Sequence, residues 1–133
     1  MLPEFKLRQI SFTLQCILLT IVLFGIHSYL LYYFGKNLQL FFPVFHIYIF
    51  HFIVTILVYT IINYRFSKGQ KNIFNLFMGS TLVKMGLAIL FLLPLILSDF
   101  EKKQPDVFNF FIPYFIYLFF EVVFITKLLN QTP

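Results

Sequence analysis

Residues 73–98 read IFNLFMGSTLVKMGLAILFLLPLILS. A run of this length at 1.5 Å per residue is about 39 Å as a helix, enough to cross the roughly 30 Å hydrocarbon layer of a bilayer with tilt. Its one formal charge is Lys84. Apolar residues fall on every side, with neither the two-residue alternation of a membrane barrel strand nor a polar face for water. The segment therefore predicts a transmembrane helix, and the rest of the chain repeats the pattern.

Upstream, an uncharged stretch from Ile10 to Gly35 follows Lys6 and Arg8 of MLPEFKLRQI, and predicts a retained helix over about 11–34. It is longer than the apolar core of a signal peptide and lacks a small-residue cleavage site. Cys16 follows FTLQ, which has no small residue suited to lipoprotein processing. A second run covers about 41–63, with Pro43 in its first turn, where a missing N–H costs nothing. After the third run comes DFEKKQPD (99–106), the most charged stretch, and then a fourth run over about 107–129. The expected fold is all-α, a single polytopic membrane domain over 1–133, built as an antiparallel bundle of four transmembrane helices with short connections.

Composition agrees. Of 133 residues, 60% are hydrophobic and 11% charged, too few charges to solvate a water-soluble surface. The net charge of +5 does not imply nucleic acid, because the basic residues sit between and at the ends of apolar runs. Lys6, Arg8, Arg65, Lys68, Lys71 and Lys127 fall on one side, and Lys36, Lys102 and Lys103 on the other. The richer side is expected in the cytoplasm, with both termini, so the chain reads as a multi-pass protein of a bacterial inner membrane. A single cysteine and the absence of zinc or phosphate-loop spacing predict no metal and no cofactor. With no nucleophile–base arrangement beyond Ser80 near Lys84, the chain is not expected to be an enzyme.

The informative residues are the charges inside the runs. Lys84 lies eleven residues into the third run and Glu121 about eight before the end of the fourth. Those positions are roughly 17 and 12 Å from the same membrane edge. Helical side chains lean toward their own N-terminus, so in antiparallel neighbours Lys84 and Glu121 lean toward each other. An intramembrane Lys84–Glu121 ion pair is predicted. It either fixes which helix faces which, or supplies a contact for a proton, an ion or a partner. Ser80, Thr81 and Lys84 extend a polar stripe on the third helix, and Tyr114, Tyr117 and Glu121 on the fourth. Asn75, Gly79 and Gly86 form a small-residue line suited to close helix packing, within the bundle or between subunits. His46 and His51 are five residues apart and do not share a face; His51 is the candidate polar or proton contact at the depth of Lys84. Pro94 and Pro113 are expected to kink their helices or mark boundaries.

The order of these features resembles the ATP synthase protein I family, small four-helix membrane proteins encoded beside ATP synthase subunits. The resemblance rests on the basic N-terminus, the basic loop YRFSKGQKN (64–72), the third-helix segment FMGSTLVKMG (77–86), and FFIPYF (110–115), like the aromatic–proline opening of the family's last helix. Gly79 and Lys84 correspond in kind to the family's glycine and following basic residue, at a spacing of five where four is usual; Glu121 has no assigned counterpart. The resemblance implies a role in assembling or inserting the rotor ring of c subunits, and a link to magnesium supply. The expected function is therefore a membrane accessory or assembly factor whose partners are the lipid bilayer, c subunits or a second copy of itself. The alternative is a small oligomeric transporter or flippase whose Lys84/Glu121 stripe lines a cavity.

Overall fold

The computed structural model describes residues 3–34, 44–69, 72–98 and 104–130. They form four helices, α1 (Pro3–Phe34), α2 (Val44–Ser67), α3 (Ile73–Leu97) and α4 (Gln104–Leu129), with no strand among the described residues. All four are long and apolar enough to cross a membrane.

The boundaries follow local chemistry. Helix α1 begins at Pro3 and not near Ser11. Proline is tolerated in a first turn, and the intervening Glu, Lys, Leu, Arg and Gln are strong helix formers, so the charges that end the apolar run do not end the helix. Helix α2 likewise continues past Asn63 to Ser67. It stops where Gly69 takes φ +84°, a left-handed conformation glycine adopts without strain, with its N–H bonded to the Phe66 carbonyl at 3.0 Å. Helix α3 closes at Ser98, whose hydroxyl donates to the Leu95 carbonyl at 2.7 Å. Helices α3 and α4 run through Pro94 and Pro113, so neither proline is a boundary. The expected start of the second helix at residue 41, its Pro43, and the loops 35–43 and 99–103 lie outside the described residues.

Cross-helix contacts fix the directions. Arg8 and Ser67 meet at one end of α1 and α2, and His27 and Tyr48 toward the other, so the two are antiparallel. Lys84–Glu121 and Phe91–Phe110 set α3 antiparallel to α4. Helix α2 touches each of the others and is the most buried span; α1 is the least.

The core lies on two sides of α2. Toward α1 and α4, Phe12 stacks on Tyr59 at 3.9 Å with near-parallel rings and meets Phe124 edge-on. Toward α3, Phe50, Phe91 and Phe110 form a second aromatic group beside Ala88, Leu92 and Leu95. Outside these, large apolar side chains are open all around the bundle, from Leu18 and Ile21 on α1 to Leu82, Ile89 and Leu97 on α3. So much continuous apolar surface would aggregate in water, but lipid tails can cover it.

Candidate functional site: a polar core around Lys84 and Glu121

Lipid supplies no hydrogen bonds, so polar side chains on membrane-spanning helices must find one another. Here they do so in three layers. Nearest the α2–α3 connection, Asn63, fully buried, accepts from Arg8 Nε at 2.8 Å and donates through Nδ2 to the Phe5 carbonyl (3.1 Å) and Gln9 Oε1 (3.2 Å). Arg8 also donates to Ser67 at 2.7 Å, and Gln9 to Thr60 at 2.7 Å. At the opposite end, His27 lies 2.8 Å from the Tyr48 hydroxyl and 3.1 Å from Asn109 Oδ1.

The middle layer contains the charges. Lys84 Nζ is 2.7 Å from Glu121 Oε1, and both residues are shut off from the surroundings at 0% and 1% exposure. The ammonium also lies 5.1 Å from the centre of the Tyr114 ring, within cation–π range. Thr55 of α2 stands beside the same carboxylate, although neither its hydroxyl oxygen nor Glu121 Oε2 has a partner of hydrogen-bonding geometry among the described residues. His51, one turn from Thr55, stacks on Tyr117 at 5.5 Å and places Nε2 3.1 Å from the Phe110 carbonyl. His51 Nδ1 and the Tyr114 hydroxyl are likewise unmatched within the described residues. A neutral charge pair thus sits among several buried polar atoms with spare hydrogen-bonding capacity.

The stripes expected from sequence divide. Lys84, Glu121, Tyr114 and His51 come together. Tyr117 does not join Lys84: its hydroxyl is 2.6 Å from Thr20, because i, i+3 and i+7 spacing on α4 sweeps round from α3 toward α1. Thr81, half-buried, turns back on its own helix and donates to the Phe77 carbonyl at 3.0 Å, as hydroxyls in apolar surroundings commonly do. Ser80 lies at the edge of a groove of about 580 Å³ between α2 and α3, whose lining includes Lys84, Asn75, Gly79, Val54 and Val83.

The Asn75–Gly79–Gly86 line does not pack α3 within the bundle. All three are exposed, and a methyl group at Gly79 or Gly86 would meet nothing within 4 Å. They fall on the side of α3 away from Phe77, Lys84 and Ala88, so they are left for lipid or another chain. Glycine within a helix is about 1 kcal/mol less favourable than alanine. Gly79→Ala is therefore expected to raise the stability of the isolated protein in detergent by up to that amount, read by equilibrium unfolding; a loss would reveal a packing neighbour.

Thr55, Thr20 and Asn63 were not singled out by sequence. The signal was present, since Thr55 is one turn from His51 and Thr60, Asn63 and Ser67 recur every three or four residues on α2. Among the described residues no group of three or more His, Cys, Asp or Glu is placed to hold a metal. Exposed His46 stands apart from the core, against its neighbour Phe45. No protein-family model, curated protein or solved structure matches this chain.

Proposed function

We propose that this chain is a non-enzymatic accessory protein of the bacterial cytoplasmic membrane, with both ends on the cytoplasmic side. In this reading it binds another membrane protein along the α2–α3 groove and assists assembly of the ATP synthase rotor ring. The observation that carries the reading is that Lys84, although paired and enclosed, contributes to the wall of a groove between α2 and α3. A lysine ammonium has three donors, and Glu121 Oε1 takes one. Lys84 is enclosed while paired, so a helix laid in the groove and bearing a carboxylate at this depth would engage a second donor as the ammonium turns toward the groove. A c subunit carries such a carboxylate. Gly79 in the groove lining lets a partner's backbone approach closely. The resemblance of residues 77–86 to the ATP synthase protein I family supports the same partner.

The test is recovery of partners from mild detergent by wild type, Lys84→Ala and Glu121→Gln, identified by mass spectrometry. Wild type is expected to bring down c subunits, and Lys84→Ala to lose them while still inserting. Wild type recovering no ATP synthase subunit would overturn the assignment.

The same groove favours a second reading, a small oligomeric transporter or flippase, because its apolar walls and polar floor suit an amphiphile. Four helices enclose little volume, so this reading requires two or more copies around a shared path. Reconstituted vesicles that move a lipid-linked substrate only above the concentration at which the protein self-associates would support it over the first.

A further inference from the structure

Where α1 begins and α4 finishes, a cavity of about 270 Å³ opens between the two helices, with Tyr59 of α2 among its lining residues. One face of α1 contributes Arg8, Ser11 and Gln15, and α4 contributes Lys127 beside Phe124. Both cations are positioned. Arg8 is held by its bonds to Asn63 and Ser67, with its guanidinium 5.1 Å from the centre of the Phe66 ring. The Lys127 ammonium lies 4.9 Å from the centre of the Phe124 ring. Gln15 Nε2 donates to Ser11 Oγ at 3.0 Å, leaving the serine O–H to donate. The two acids whose side chains are described lie elsewhere: Glu121 pairs with Lys84, and Asp106 sits in the first turn of α4, at the far end from Lys127.

Two fixed cations at a helix-end cleft, hydroxyl and amide donors one and two turns deeper, and an apolar flank make a receptor for a phosphate on an amphiphile. We propose that this cavity binds a phosphate group, carried in the membrane by the headgroup of an anionic lipid. Arg8 and Lys127 meet the phosphate oxygens. Ser11 and Gln15 reach the glycerol and ester oxygens, and the acyl chain continues along the cleft between α1 and α4. The site does not depend on the α2–α3 groove or on which face of the membrane this end occupies.

The experiment uses the full chain in a neutral maltoside detergent and counts bound lipid by native mass spectrometry. Phosphatidylglycerol is titrated against phosphatidylcholine, with inorganic phosphate as a separate arm. Wild type is expected to retain phosphatidylglycerol in preference to phosphatidylcholine. Lys127→Gln removes one basic contact without touching the Arg8–Asn63 bonds, and is expected to weaken phosphatidylglycerol binding about fivefold. Lys68→Gln, which removes an exposed cation at the same end but outside the cavity, is expected to leave it unchanged. Displacement of the lipid by millimolar inorganic phosphate would keep the phosphate site and assign it to the free anion; failure to displace assigns it to the lipid. Equal retention of the two lipids, or equal weakening by both lysine substitutions, would overturn the proposal, since a diffuse basic rim would then account for binding.

Discussion

Lys84→Met is expected to lower the stability of the protein by about 3–5 kcal/mol, because removing one member of a buried ion pair strands the other charge. Among the described residues, Glu121 would lose its partner at Oε1 while Oε2 already lacks one, leaving the nearby Thr55 hydroxyl to solvate the carboxylate. Glu121→Leu alone should cost a similar amount, through an isolated Lys84 ammonium held against the Tyr114 ring. The double variant Lys84→Met/Glu121→Leu fills the same space with apolar atoms and is expected to return to within about 1–2 kcal/mol of wild type. Equilibrium unfolding in mixed micelles gives all three values. Single variants within about 1 kcal/mol of wild type would mean that the pair is solvated and not enclosed. The double variant also separates stability from binding, since it restores the fold without restoring a cation in the α2–α3 groove.

The second large effect is expected at Asn63. This one buried amide accepts from Arg8 and donates to the Phe5 carbonyl and to Gln9, so it joins the first turns of α1 to the last turns of α2. Asn63→Leu leaves a guanidinium N–H and Gln9 Oε1 without those partners, at an expected cost of about 2–4 kcal/mol. The loss should be local. Helix α1 is the least buried span; Arg8–Ser67 and Gln9–Thr60 remain at the same end, while Thr20–Tyr117, His27–Tyr48 and His27–Asn109 lie farther along the helix. Hydrogen exchange is therefore expected to quicken at residues 5–12 and to stay slow around Thr20. Uniform loosening along α1 would show that the three layers act as one unit.

The helical class and the four apolar spans were legible because lipid imposes one severe rule, that each segment satisfies its own backbone. The meeting of Lys84 and Glu121 was legible for a related reason: few charges lie in these spans, and depth plus side-chain lean left little choice of partner. What sequence did not reveal has physical causes too. Lys6 and Arg8 end the apolar run but not α1, which begins at Pro3, because helix formation does not require apolar residues. Spacing along α4 puts Tyr117 on the stripe of Tyr114 and Glu121, but spacing says which residues share a face, not which neighbour each one meets; Thr20 is a residue of α1, and its approach to Tyr117 depends on how α1 packs on α2. The direction of the Asn75–Gly79–Gly86 line was ambiguous on the same ground. Uniformly apolar helices carry no amphipathic signal to mark the inward side, and it is the burial of Phe77, Lys84 and Ala88 opposite the glycines that reveals it.

The most direct measurement is site-specific photocrosslinking in the native membrane. The probe is placed at Val83, in the α2–α3 groove, and separately at Val22, on the exposed surface of α1. Val83 is expected to crosslink to a c subunit in the wild-type background, the adduct to disappear in Lys84→Met/Glu121→Leu, and Val22 to give lipid adducts alone. A c-subunit adduct that persists in the double variant, or that forms equally from Val22, would contradict a partner recognised through Lys84 in that groove.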